Sequence, residues 1–276
     1  MKSLLSSKGL RLFAGGLVIV NGVFPALWIL LTSLKGEAEL TQKPITYLPE
    51  HPTMTNFVSA FTDQPLPVYL MNSAIVALLS MMASIVLSAL AAYAIARLRL
   101  PRRNLILTAI IAVSMFPLVT LMVPLFEIMR GLNLLNSYWA LVLPYTVLNL
   151  PICTLMLVSF FQDIPKDIEN AAMIDGCTRL GSLFRVVLPL AAPGVFTAGI
   201  IAFVNAWDEF LLSLSMNAAV QYRTLPVGIQ LYQGEWAFPW PVISAALVVA
   251  MVPVVIVIIV FQEKVVQGLT SGGVKG

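Results

Sequence analysis

The chain has 276 residues, of which 59% are apolar and only 11% are charged, and its mean hydropathy is +0.92. Soluble globular domains carry about 25% charged residues, so this composition excludes that class and predicts an all-α polytopic membrane protein. The formal net charge of +3 reflects how basic residues are distributed between the two sides of the membrane and does not indicate a nucleic-acid-binding patch.

Six long apolar intervals are each sufficient for a helix that crosses a bilayer, which needs about 20 residues. Within a single transmembrane domain over residues 1–276, they predict helices at about 12–34, 68–96, 104–128, 137–161, 188–214 and 241–262. Prolines lie inside four of these helices, at Pro117, Pro124, Pro144, Pro151, Pro193 and Pro253. Each removes a backbone hydrogen bond and predicts a bend. The bends either only shape the helices or act as hinges around a central cavity.

The orientation follows from the basic residues, because Lys and Arg near helix ends are retained on the cytoplasmic side. With the N-terminus inside, twelve of the 16 Lys and Arg residues lie in cytoplasmic segments. The four outside are Lys35, Lys43, Arg130 and Arg223. Both termini and residues 163–189 are therefore predicted to be cytoplasmic.

Residues of the kind that carry catalysis or bind cofactors are sparse. The chain contains no Gly-x-x-x-x-Gly-Lys loop for nucleotide phosphates, so no ATP site of that type is expected. His51 is the single histidine and lies in a predicted outer loop, while Cys153 and Cys177 lie in different segments. We therefore expect no cofactor or metal in this chain, and an intramembrane enzyme lacks candidate catalytic residues.

Residues 163–189, DIPKDIENAAMIDGCTRLGSLFRVVLP, form the longest charge-rich stretch of the chain. The pattern predicts two short amphipathic helices joined at Gly176, whose apolar faces need a partner. Its spacing resembles the coupling motif of importer-type ABC transporter permeases, which is Glu-Ala-Ala, three residues, Gly, nine residues and Ile-x-Leu-Pro. Here Asn170 stands for the motif glutamate and Val186 for the isoleucine. The alternative is an amphipathic helix that lies on the membrane surface.

The resemblance extends over nearly the whole chain, through AAYAIARLRLP at 91–101, NAWDEFLLSL at 205–214 and GLTSGGVKG at 268–276. These stretches are similar to the carbohydrate branch, in particular to the smaller membrane subunit of maltose and trehalose importers. The resemblance implies a type I ABC importer permease fold with a cytoplasmic coupling-helix loop, in a bacterial inner membrane. It implies a substrate that is a sugar or a glycosylated compatible solute: a disaccharide such as trehalose or maltose, a glucoside, or a monosaccharide.

The partners that the resemblance implies are a sister permease, two ATPase subunits that bind ATP and Mg, and an extracytoplasmic sugar-binding protein. The residues expected to contact the ATPase are Asp167, Glu169, Asn170, Ala171, Ala172, Asp175, Gly176 and Arg179. The carboxylates among them are expected to keep the contact surface acidic although Asn170 replaces the motif glutamate.

Polar residues near the end of the fifth predicted helix form the most unusual intramembrane group, because carboxylates in hydrocarbon are costly unless they are paired or face water. Asn205, Trp207 and Asp208 are candidates for the translocation pathway, with Trp207 stacking on a sugar face. Anchoring at the membrane interface is the alternative. A secondary transporter that uses Asp208 or Glu209 as its coupling carboxylate is the rival class.

The outer loop from 218 to 241 is rich in aromatic residues and prolines. In the resembled maltose permease, a loop at this position reaches into the binding protein. Gln230, Gln233, Glu235 and Trp236 are the corresponding candidates here, and an aromatic belt at the membrane interface is the alternative. The tail 270–276 either inserts between the ATPase subunits or is a disordered end.

Overall fold

The computed structural model describes residues 8–98, 100–232 and 238–273, with no side chains described at 8, 9, 11, 12 and 263–273. The described residues form helices and turns, and no strand occurs among them. Whereas the sequence predicts one domain, the packing divides the chain into two compact units. The first comprises Met1–Pro67 and Gly228–Pro253, and the second comprises Val68–Val227 and Val254–Gly276.

Long apolar helices dominate the described chain. By length and composition, four of them can cross a membrane. They are α1 (Lys8–Ser33), α4 (Leu66–Arg97), α7 (Trp139–Asp163) and α14 (Trp240–Gly273). Shorter helices are α2 (Glu37–Thr41), α3 (Thr55–Thr62), α8 (Lys166–Ile174), α12 (Leu211–Met216) and α13 (Leu225–Gln230).

The third predicted span is not one straight helix. It comprises α5 (Arg103–Ser114) and α6 (Leu118–Gly131), which are bent by 91°. Pro117 precedes α6 with an extended backbone, φ −62° and ψ 130°. The break follows from proline chemistry, because its ring disfavours the helical conformation in the residue before it and its nitrogen donates no hydrogen bond.

The fifth predicted span, 188–214, is also divided. Here α9 (Arg179–Ser182) continues through a π-helical turn (Leu183–Val187) into α10 (Leu188–Leu190). The next helix, α11 (Ala192–Trp207), is bent by 84° from this segment. It ends seven residues before the predicted boundary at 214, and the separate helix α12 begins at Leu211. Counting each bent pair as one span gives up to six spans in the described chain.

The core of the second unit lies where α4, α7, the 183–191 segment and α11 pack together. Many of its side chains are small, which lets helix backbones approach closely in a bilayer, where van der Waals packing drives helix association. Its buried residues include Ala89, Ala92, Ala96, Cys153, Leu157, Phe161, Leu183, Val187, Ala198 and Ala202. Ser84 and Ser88 of α4 add hydrogen bonds to the carbonyls of Thr146 and Leu150 on α7, at 3.3 and 3.4 Å.

In the first unit, a buried lysine orders the segment after α1. Lys35 donates to the carbonyl of Thr46 and lies 3.9 Å from Glu39. Desolvation raises the pKa of Glu39, but hydrogen bonds from the Glu50 N–H and the Thr46 hydroxyl, together with the Lys35 charge, outweigh it and lower the pKa. These contacts hold the loop between α2 and α3 against Glu39 of α2 and against Lys35, which follows α1.

Candidate functional site

The helix α8 ends in a compact turn at the glycine that the sequence indicates. Gly176 has φ +92°, a conformation that L side chains rarely adopt. Its N–H donates to the Met173 carbonyl at 3.2 Å, and the Cys177 N–H donates to the Ala172 carbonyl at 2.9 Å. This pair of bonds is the Schellman motif, which satisfies the last carbonyls of a helix. The structure therefore has a rigid turn between α8 and α9.

The next helix begins with a side-chain cap. The Thr178 hydroxyl accepts a hydrogen bond from the Gly181 N–H at 3.1 Å. A capping hydroxyl satisfies one of the free N–H groups of a helix start. The turn is consequently defined by hydrogen bonds on both sides of Gly176.

Most of the residues expected to contact an ATPase are exposed. They are Asp167, Asn170, Ala171, Asp175, Gly176 and Arg179, while Ala172 is half-buried. Large apolar side chains are exposed beside them, at Ile168, Ile174, Leu180 and Phe184. We name the exposed residues of 167–184 the coupling surface. It combines charged and apolar groups on a turn that is held in one conformation.

Glu169 is an exception, and here the expectation from the sequence needs correction. Its carboxylate is not part of an acidic surface, because the residue is only 6% exposed. It lies 3.0 Å from Arg97 Nε and accepts a hydrogen bond from the Tyr93 hydroxyl. Asp167 and Glu169 differ because residues two apart on a helix point about 200° from each other. The acids on the coupling surface are therefore Asp167 and Asp175.

The candidate pathway residues have three different environments. Asn205 is exposed, and its side-chain amide donates to Asn149 Oδ1 at 3.0 Å. Asp208 is exposed at the end of α11. Trp207 is buried and stacks on Phe203, with ring centroids 5.6 Å apart. The structure does not present the Trp207 ring to a sugar, since the helix packing covers it.

Glu209, a coupling carboxylate in the rival class, has a structural role. It accepts hydrogen bonds from the N–H groups of Leu212 and Ser213, at 2.8 and 3.2 Å, and from the Tyr145 hydroxyl. The first two bonds satisfy N–H groups at the start of α12, where a negative charge is favourable. Glu209 thus joins the start of α12 to α7.

Within the second unit, Asn72 of α4 holds the backbone at 221–223. Its side-chain amide donates to the carbonyls of Gln221 and Arg223, at 3.0 and 2.8 Å. The Tyr138 hydroxyl donates to its Oδ1 at 2.9 Å. Further along, Gln230 is exposed at the end of α13. Gln233, Glu235 and Trp236 lie outside the described residues.

An apolar cavity of about 460 Å³ lies between α4, α11 and residues 257–261 of α14. No hydrogen-bonding side chain lines it; the lining includes Met81, Ile85, Phe196, Phe203 and Phe261. Sugars require hydrogen-bonding partners, so this cavity does not suit a sugar. The polar candidates Asn205 and Asp208 do not line it.

Sequence reasoning missed four residues of these polar clusters: Tyr93, Arg97, Tyr145 and Asn149. These residues form two pairs, Tyr93 with Arg97 and Tyr145 with Asn149. The members of each pair are four residues apart, so the sequence already indicates that they share a helix face. What no local pattern shows is the distant residue that each pair contacts.

Comparison with known proteins identifies the class. Residues 84–271 match the family described as binding-protein-dependent transport system inner membrane component. The chain is 70% identical over 276 residues to the sulfoquinovosyl glycerol transport system permease protein SmoH of Agrobacterium fabrum, covering 100% of this chain and 97% of that relative. It is 36% identical to the trehalose/maltose transport system permease protein MalG of Thermococcus litoralis, over 94% of each chain.

The fold is similar to solved structures of transporters. One is a crystal structure of a bacterial ABC transporter involved in the import of the acidic polysaccharide alginate, with a TM-score of 0.80 and 21% identity. The match covers 93% of this chain and 98% of that chain. The architecture is therefore the all-α type I ABC importer permease fold, and the class is a multi-pass transport subunit. The chain belongs to the family of binding-protein-dependent transport system inner membrane components.

Proposed function

We propose that the chain is one of two membrane subunits of an ATP-driven sugar importer, and that it supplies half of the translocation pathway. The single observation that carries this proposal is the rigid, exposed coupling surface in a chain of this family. A surface of exposed apolar side chains on a fixed turn is suited to a protein partner, because burial of apolar area drives association. The partner is one of two ATPase subunits.

The chemistry of ATP belongs to the partners in this proposal. The ATPase subunits bind ATP and Mg, and this chain carries no catalytic group for hydrolysis. Closure of the ATPase dimer moves α8 and α9, and the broken helices on either side of Pro117 and Ala191 change their angles. The bends at these positions support hinge motion, since a few residues at helix ends absorb most of a backbone rotation.

A glycoside of the sulfoquinovosyl glycerol type is the first substrate to test. The support is 70% identity to SmoH over the whole chain, compared with 36% to the Thermococcus litoralis MalG. Trehalose and maltose are the comparison substrates. Asn205 and Asp208 are the pathway candidates in this proposal, and their exposure near the end of α11 supports it.

The orientation in this proposal puts both termini and the coupling surface in the cytoplasm of a bacterial cell. An extracytoplasmic sugar-binding protein docks on the opposite side. Gln230, Gln233, Glu235 and Trp236 are the candidates for that contact. The support for the outer position is the distribution of basic residues, which are concentrated in the segments on the coupling side.

The test is uptake by the complete importer in vesicles, with this chain, the sister permease, the ATPase and the binding protein. We expect uptake of sulfoquinovosyl glycerol that requires ATP and the binding protein and is inhibited by vanadate. If the importer prefers trehalose or maltose, the substrate assignment changes but the proposed mechanism stands. Uptake without ATP, or by this chain alone, would overturn the proposed function.

A further inference from the structure

Three segments of the second unit meet at one buried guanidinium. Arg97 is the last residue of α4, and its Nη2 donates to the carbonyl of Ile164 at 2.9 Å, directly after the end of α7. Its Nε lies 3.0 Å from Glu169 Oε2 on α8. The side chains of Arg97 and Glu169 are 4% and 7% exposed. One side chain at the end of α4 therefore contacts the residue that follows α7 and the helix that bears the coupling surface.

The carboxylate is held from two sides. Arg97 approaches Oε2 of Glu169, while the Tyr93 hydroxyl donates to Oε1. Tyr93 and Arg97 are one turn apart on α4, so both contacts come from the same helix. A carboxylate whose two oxygens have separate partners cannot rotate without breaking one of them. The same guanidinium pairs with Glu169 as an ion pair and donates a hydrogen bond to the Ile164 carbonyl, so one planar group joins α8 to the residue after α7.

The contacts have a mechanical consequence for α8. The backbone connects α8 to α7 through Ile164 and Pro165, and to α9 through the turn at Gly176. Without Glu169, displacement of α8 would reach α4 only indirectly. With Glu169 bound to Tyr93 and Arg97, a force on the exposed face of α8 reaches the end of α4 directly.

We propose that Tyr93, Arg97 and Glu169 form a positioning clamp, which transmits movement of α8 to the end of α4 during the transport cycle. This inference rests on the proposed function and extends it, because it names residues that do not touch the ATPase. The clamp differs from a merely stabilising ion pair in what it controls. It determines how much substrate moves for each ATP hydrolysed.

The experiment compares single variants of the complete importer in vesicles, supplied with sulfoquinovosyl glycerol, binding protein and ATP. Arg97→Lys keeps the positive charge, but a single ammonium group does not reproduce the planar fork that contacts Glu169 and Ile164. Glu169→Gln removes the negative charge. Tyr93→Phe removes one hydrogen bond and keeps the ion pair. The readouts are assembly of the complex, ATP hydrolysis with and without binding protein, and uptake per ATP hydrolysed.

The matched controls are Glu127→Gln and Arg130→Lys. These residues form an ion pair of the same chemistry at 3.6 Å on α6, but both side chains are more than half exposed. The two control substitutions make the same chemical changes as Glu169→Gln and Arg97→Lys without disturbing a buried contact. We expect the controls to match the wild-type ratio of uptake to hydrolysis, because exposed ion pairs contribute little.

For the clamp variants, we expect assembled complexes whose uptake per ATP falls by about fivefold or more, the lower range of coupling between distant sites. Tyr93→Phe should show a smaller fall in the same direction. Uptake and hydrolysis that decline in parallel would overturn the clamp and leave a stabilising role. If the charge variants do not assemble, Tyr93→Phe decides, and an unchanged ratio overturns the inference. A wild-type complex that shows no ATP-driven uptake of sulfoquinovosyl glycerol, trehalose or maltose would instead overturn the proposed function.

Discussion

Gly194 of α11 lies so close to Phe160 of α7 that no side chain fits between them. A Cβ at position 194 would come within 2.9 Å of Phe160 Cδ1 and still closer to Cγ and Cδ2 of the ring. The contact joins two core helices of the second unit. It also lies directly after Pro193, in the first turn of α11 after the 84° bend.

Gly194→Ala should therefore destabilise the chain by about 1–3 kcal/mol, the usual cost of overpacking a core. The measurement is thermal unfolding of the purified chain in detergent. Gly199→Ala is the matched control on the same helix, because its Cβ would be at ordinary contact distance, 3.7 Å from Met81 Sδ. Equal stability of the two variants would contradict the close packing. Phe160→Leu should partly rescue Gly194→Ala by making room for the methyl group.

Gly176→Ala should strain the turn between α8 and α9 without a steric clash. No heavy atom lies within 4 Å of a Cβ at this position, but φ is +92°. The left-handed region costs an L residue about 1–2 kcal/mol. Gly176→Pro should have a larger effect, because proline fixes φ near −65° and removes the N–H that bonds to Met173.

We expect Gly176→Pro to uncouple ATP hydrolysis from uptake while the protein remains in the membrane. Fractionation checks its location, and paired hydrolysis and uptake assays check the coupling. Gly131→Ala is the control, since nothing lies within 4 Å of its Cβ and its φ is not in the left-handed region. Normal coupling in Gly176→Pro would show that the turn geometry is not required.

Asn72→Leu should loosen the segment 217–225. The substitution removes two donated hydrogen bonds and one accepted bond at a residue that is 0% exposed. Each buried group left without a partner costs about 1–3 kcal/mol. Hydrogen exchange at 217–225 should become faster. Gln221→Ala is the control, because only the backbone carbonyl of Gln221 takes part, and protection that is unchanged in Asn72→Leu would contradict the prediction.

Asp208→Asn should change the preference between charged and neutral substrates if Asp208 faces the pathway. Two unit charges 4 Å apart in water repel by about 1 kcal/mol, which corresponds to roughly a fivefold change in an equilibrium constant. Competition between sulfoquinovosyl glycerol and trehalose measures this preference, and we expect uptake of the sulfonated substrate to increase relative to that of trehalose. Unchanged uptake and preference would remove Asp208 from the pathway.

Trp207→Phe should lower thermal stability and leave the substrate preference unchanged, because Trp207 packs on Phe203.

Glu209→Gln separates the importer from an ion-coupled transporter. The loss of charge at the start of α12 should reduce stability by about 0.5–2 kcal/mol, the range for helix caps. Uptake should still require ATP and should persist when proton and sodium gradients are collapsed. Gradient-driven uptake in the wild type that Glu209→Gln abolishes would favour the rival class. Glu127→Gln serves as the control for the loss of one exposed carboxylate.

Much of this fold follows from local sequence features. The apolar intervals predict the positions of α1, α4, α7 and α14, because the number of residues needed to cross hydrocarbon is a property of one segment. The ends of α4 and α7 lie within two residues of the prediction, whereas α14 continues to Gly273, beyond the predicted end at 262. The turn at Gly176 was also predictable, since glycine tolerates positive φ without a side-chain penalty. Pro117 predicted a bend, but the proline alone did not indicate the 91° angle.

The partners of the polar residues depend instead on the packing of distant segments. Glu169 and Tyr93 are 76 residues apart, and Asn205 and Asn149 are 56 apart. The helical period places Asp167 and Glu169 on opposite faces of α8, but it does not show that the face with Glu169 is the buried one. Composition and local backbone chemistry were enough to establish a helical membrane protein with a rigid turn. Assigning each charge to a partner or to the surface required the folded chain, because a carboxylate is buried only where another segment brings it a cation and a donor.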